Sequence, residues 1–192
     1  MIILTVTLAL MLFGLVCRFG WTSLERLATL RLRGGAQAFL ACAAQVVSVV
    51  TQQHRLALLL VSAALLASFY WLNRRQAGIS LAMLGIVLNL AVMGANNGSM
   101  PVSSATMMRK NSLEFAAGTD LPHTKNTVLE DHEARLPWLS DRLLLPGPLA
   151  RLAAWSIGDF LLLAGVGRML WHTMKEQDNH DRHSLRGNAT LS

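Results

Sequence analysis

Residues 56–73 read LALLLVSAALLASFYWLN, and residues 79–108 read ISLAMLGIVLNLAVMGANNGSMPVSSATMM. Neither stretch holds an Asp, Glu, Lys, Arg or His. A helix needs about 20 apolar residues to cross the hydrocarbon core of a bilayer, so both stretches read as membrane spans. Residues 1–17 are a third charge-free stretch. It has no positive segment before it and no small-x-small cleavage site after it, which marks a retained first span rather than a secretory signal. Working outward from these runs, the expected spans are 1–17, 36–53, 56–72, 79–96 and 151–171. The fold class is all-α, a polytopic membrane helix bundle of about five transmembrane helices. The span at 36–53 carries Gln37, Gln45, Ser48 and Gln52, so it is expected to be enclosed by its neighbours.

Composition agrees with that reading. The chain is 53% hydrophobic and 15% charged, where a soluble domain carries about a quarter charged residues. The net charge of +6 raises nucleic acid as a partner. It is set aside because the basic residues occupy short turns between apolar segments rather than one block or one helix face. Cys17 and Cys42 lie in or beside apolar segments with no Cys-x-x-Cys pattern, and read as small core residues.

The connections set the orientation. Arg18, Arg26, Arg31 and Arg33 follow the first span, and Arg74 and Arg75 follow the third, whereas Arg55 stands alone between the second and third. Loops rich in Lys and Arg stay cytoplasmic. The N-terminus is therefore outside, the C-terminus cytoplasmic, and the long loop from about Asn97 to Ala150 extracytoplasmic. Gln53-His54-Arg55 makes a tight helical hairpin, and Gly78 is expected to cap the end of the third span. Within the long loop, Leu136-Pro137-Trp138-Leu139 and Leu143-Leu144-Leu145 suit an interfacial or re-entrant excursion. Residues 1–172 form a single membrane domain. The tail 173–192 is polar and expected to be disordered.

Three polar side chains inside the spans fall at one depth. Gln45, Asn89 and Asp159 each lie roughly 10–12 Å below the outer surface at a rise of about 1.5 Å per residue. An acid in hydrocarbon is costly unless it meets a partner or water, so Asp159 marks either a functional cavity or an interhelical contact that fixes the bundle. Asn97-Gly98 and Pro101 stop the fourth span: Asn-Gly adopts positive φ cheaply, and proline disfavours helix at the residue before it. The same turn could line the mouth of an outward pocket. His123, Asp131, His132 and Glu133 lack metal-site spacing and read as solvated loop residues. The sequence names no cofactor and leaves that question open.

A resemblance rests on Asn89, Asn97-Gly98-x-Met100-Pro101-Val102, His123, Thr127-x-Leu129, Leu139-Ser140-Asp141 and Ser156-Ile157-Gly158-Asp159. Over roughly residues 1–172 the chain resembles a bacterial family of small integral membrane proteins defined only as a domain of unknown function. Ser99 departs from that pattern, which often has a bulkier or glycine-flanked residue there. The resemblance implies a bacterial plasma-membrane protein with signature polar residues at Asn97, Pro101, His123, Asp141 and Asp159. It implies no activity.

The favoured role is an accessory or structural subunit of a membrane assembly, with the lipid bilayer, other membrane subunits or a second copy as partners. The alternative is a small membrane-embedded enzyme or ligand binder with an outward pocket built from Gln45, Asn89, Asn97, Pro101, His123, Asp141 and Asp159. A transporter is disfavoured because five spans give no inverted repeat.

Overall fold

The structure is a computed structural model, and it describes residues 32–103, 106, 118, 120, 126–129, 132–144 and 154–189. The expected span at 1–17 lies outside them. Three apolar stretches form helices close to their expected bounds: α1 Gly35–Thr51, α2 Arg55–Asn73 and α3 Ile79–Ala95. A fourth helix, α4, runs Ile157–Ala189. Among the described residues α2 is long and apolar enough to cross a membrane by length and composition, and α1 and α3 are shorter apolar helices.

The turns follow from local chemistry. Between α1 and α2 the chain reverses through Gln52 and His54, both left-handed at φ 56° and 51°. At the far end of α3, Asn97 (φ 55°) and Gly98 (φ 83°) are both left-handed. The Gly98 N–H reaches back 2.7 Å to the Met93 carbonyl, a Schellman closure that satisfies an orphan carbonyl of the last turn. Gly78 differs from expectation. The second helix ends at Asn73 without it, and Gly78 (φ 83°) instead precedes the first residue of α3.

Two further differences concern the last helix. It begins at Ile157, not near 151, because Ala154–Trp155 is extended and Ser156 caps the helix. It then continues to Ala189, through polar sequence expected to be disordered.

Between α3 and α4 the described residues include short strands, so the all-α expectation describes the helices but not this connection. Strand β1, Met100–Ser103, pairs in parallel with β2, Asn126–Leu129, in the register Met100 to Asn126. Strand β3, Leu143–Leu144, pairs antiparallel with β4, Ala154–Trp155. A 3₁₀ turn at Pro137–Leu139 brings Leu139 against a buried cluster of Leu59, Val92, Met93 and Met100. The loop thus folds back over the ends of α2 and α3.

Packing makes a row: α1 on α2, α2 on α3, α3 on α4. Among the described residues α1 is not enclosed, since Phe39, Leu40, Val46, Val47 and Val50 are exposed. The α3–α4 contact is the closest. A Cβ at Gly85 would overlap the Gly158 carbonyl oxygen, and one at Gly165 would overlap the Ala82 backbone. Gly78, Ala82 and Gly85 on one side and Gly158 and Gly165 on the other thus let two backbones touch, the small-residue packing used between helices in lipid.

Candidate functional site

The side chains that carry polar chemistry gather in three places. The first is the start of α4. Ser156 Oγ accepts the Asp159 backbone N–H at 3.1 Å, and an Asp159 carboxyl oxygen accepts the Ser156 backbone N–H at 3.1 Å. This is a capping box with Asp in the place usually held by Glu or Gln, and it satisfies two orphan donors reciprocally. Asn89 on α3 then closes it from the side. Its Nδ2 donates to Asp159 Oδ1 at 2.9 Å, and its Oδ1 accepts from the Ser156 hydroxyl at 2.9 Å. Ser156 is fully buried, and Asn89 is nearly so. Every group in the ring has a partner, as burial in a low-dielectric interior demands.

The second place is a pair of asparagine clamps at opposite ends of the bundle. At the end of α2, Asn73 accepts the Arg33 N–H at 2.9 Å and donates to the Arg33 carbonyl at 2.7 Å. Just beyond α3, Asn96 does the same to Arg135, with bonds of 2.9 and 2.8 Å. A side-chain amide matches the donor–acceptor pattern of a backbone peptide, so each clamp pins a connecting segment without a strand.

The third is an open cleft of about 520 Å³ above the α2–α3 end, lined among others by Gln52, Arg55, Asn97, Ser99, Asp120, Thr127, Glu133 and Arg135. Arg55 makes a bidentate pair with Asp120 at 3.0 and 2.9 Å and donates to Ser99 Oγ at 2.5 Å. Thr127 donates to the same carboxyl at 2.5 Å. The Arg55 guanidinium holds the Asp120 carboxyl below its ordinary value, against a smaller opposing effect of burial. Gly98 lies directly on the Arg55 backbone, where a Cβ would meet the Arg55 Cβ at 2.7 Å.

A model of a family of unknown function, DUF5317, matches residues 23–171. The chain belongs to the DUF5317 family. No curated protein and no solved structure matches it. The DUF5317 match takes in α1 to α3, the strands and α4 as far as Trp171, and it begins later than the resemblance read from residue 1.

Within this DUF5317 chain the expected site residues do not share one pocket. Asn89 and Asp159 meet in the capping ring. Gln45 donates instead to Ser62 on α2, at 2.6 Å. Asn97 lines the Arg55 cleft. Pro101 is buried in β1 beside Asp141, whose N–H donates to the Pro101 carbonyl at 3.4 Å and whose carboxyl accepts from Asn126 at 3.0 Å. His123 lies outside the described residues. The cleft is centred on Arg55, which the sequence marks only as the lone basic residue of a short turn. Among the described residues no three His, Cys, Asp or Glu converge as a metal site.

Proposed function

We propose that this protein is a five-span integral protein of the bacterial plasma membrane, N-terminus outside, serving as an accessory or structural subunit of a membrane assembly. One observation carries the reading. Large apolar side chains face outward on the helices, among them Phe39, Val50, Leu60, Val61, Leu84 and Val87, while Ser48, Ser62, Asn89 and Ser156 are buried. That inversion suits a solvent of hydrocarbon, where lipid covers apolar faces and polar groups pair inside. Helices α1 and α3 are each about 26 Å long at 1.5 Å per residue, close to the core thickness of about 30 Å. The Asn89–Ser156–Asp159 ring, with Asn89 and Ser156 buried and Asp159 partly so, is spent on holding helices together, which favours a structural role over catalysis there.

Three measurements test this. Alkaline carbonate is expected to leave the protein in the membrane pellet, and release into the supernatant overturns the membrane reading. In a Cys17→Ser, Cys42→Ser background, His132→Cys is expected to react with an impermeant maleimide on intact cells, and Gln76→Cys only after permeabilisation. The reverse pattern overturns the orientation. Purification in mild detergent is expected to bring partner subunits or a second copy with the chain.

The Arg55 cleft favours a second reading, a binder of a small charged ligand on the outer face. Thermal-shift screening of such ligands, with Arg55→Gln as control, decides it.

A further inference from the structure

Charge is divided unequally between the two ends of the bundle. At the end formed by the start of α1, the α2–α3 turn and the middle of α4 lie Arg33, Arg74, Arg75, Arg168 and Lys175, with no Asp or Glu among the described side chains there. At the opposite end Arg55, Arg135 and Arg142 stand with Asp120, Glu133 and Asp141. The first end is held together tightly. Asn73 ties Arg33 to the turn, and a Cβ at Gly78 would meet the Met169 backbone at 2.8 Å, which brings α4 against the same turn.

Within that basic end, Arg74 stacks on the ring of Trp71 with its guanidinium carbon 4.0 Å from the ring centroid. Stacking engages the flat face of the guanidinium and leaves its in-plane N–H donors at the edge, the geometry that grips phosphate oxygens. Trp71 is 64% exposed, its sequence neighbour Leu72 is exposed, and so is Trp171 on α4 at the same end of the bundle. Basic donors therefore sit where exposed apolar surface begins, which is the boundary a phospholipid headgroup occupies.

We propose that this end, with Trp71, Arg74 and Arg75 at its centre, is a docking surface for anionic phospholipid headgroups. The proposal rests on the membrane reading above and goes beyond it, since a membrane protein need not prefer one headgroup. Free phosphate offers the same charge but no acyl chain for the apolar rim. The lipid is therefore the occupant. Further along α4 the sequence turns to mixed charge, Glu176, Asp178, Asp181 and Arg182, so the unbroken basic character ends at Lys175.

The test uses the full chain in nanodiscs of mixed phosphatidylglycerol and phosphatidylcholine. Mild detergent extraction is followed by native mass spectrometry of retained lipid. Phosphatidylglycerol is expected to be retained above its share of the bilayer. Its retention is expected to fall about fivefold per arginine removed in Arg74→Gln and Arg75→Gln, from the attraction of about 1 kcal/mol per basic residue. The outer-end control Arg142→Gln is expected to retain it as the parent does. If Arg74→Gln does not fold by circular dichroism, Arg168→Gln with Lys175→Gln takes its place. Retention at the bilayer ratio overturns the proposal, as does an equal loss in the Arg142 control. Removal of the preference by millimolar inorganic phosphate overturns it too, because the site would then read free anion. Failure to enter nanodiscs at all is instead a failure of the membrane reading.

Discussion

The Asn89 amide donates to Asp159 at 2.9 Å between residues 70 apart in sequence, and so joins the interior of α3 to the first turn of α4. The same amide accepts from Ser156, so one side chain closes a capping box on a different helix.

Removing that side chain strands two polar groups at once. Asn89→Leu is expected to destabilise the protein by about 1–3 kcal/mol, the cost of leaving buried hydrogen-bonding groups without partners. Asp159→Asn is expected to cost less, because a flipped Asn89 can still bond an amide at that position and the Ser156 N–H keeps an acceptor. Denaturant unfolding in detergent measures both. Equal losses in the two variants would show that the carboxyl itself is needed.

The α3–α4 seam admits no side chains at its glycines. Gly85→Ala and Gly158→Ala place a methyl group inside the Gly158 carbonyl and the Asn89 side chain respectively. Overpacking of this kind costs about 1–3 kcal/mol. Gly35→Ala is the matched control, since nothing lies within 4 Å of its Cβ position. It is expected to stabilise the protein slightly, by about 0.5–1 kcal/mol, through better helix propensity. Thermal unfolding curves of the three variants check the order.

The Arg55–Asp120 pair gives the cleft it lines a pH dependence. The folded-state Asp120 value lies below the ordinary carboxyl value of 3.8. Its stabilisation is thus present above that value and is lost as pH falls through the lower folded value. The side chain of Asp120 is 52% exposed, so screening limits the pair to about 1 kcal/mol or less. Asp120→Asn is expected to lower stability modestly at pH 7 and to flatten the decline below about pH 4. Unfolding midpoints of the parent and variant across pH 3 to 7 measure it.

Much of the helical frame was legible because its signal is coarse. Charge-free apolar runs place α1, α2 and α3 within two residues of their observed bounds. The start of α4 differs from expectation for a local reason. Leu152-Ala153-Ala154-Trp155 is as apolar as a helix, and only the Ser156-x-x-Asp159 spacing marks where the helix begins. The same four residues carry both the capping signal and the family resemblance. The pairing of Asn89 with Asp159 follows the common depth expected for them, whereas Gln45, expected at that depth too, bonds Ser62, because a depth does not fix which way a side chain points. The short strands carry too few residues for periodicity to register. Arg55 and Asp120 are 65 residues apart, and no local pattern links them. The spacing of Gly78, Ala82 and Gly85 does announce close approach, but not which helix approaches.

Helix α4 is one unbroken element of 33 residues, about 50 Å long at 1.5 Å per residue. Its capped start is clasped by Asn89, and its glycines seat it against α3 as far as Gly78. A rod held in this way moves as a whole. A push applied to its polar end cannot be absorbed by bending at a loop, because there is none between Ile157 and Ala189. Such a load is delivered to the seam and to the Asn89 clasp, so the far end of this helix acts as a handle on the interior of the bundle.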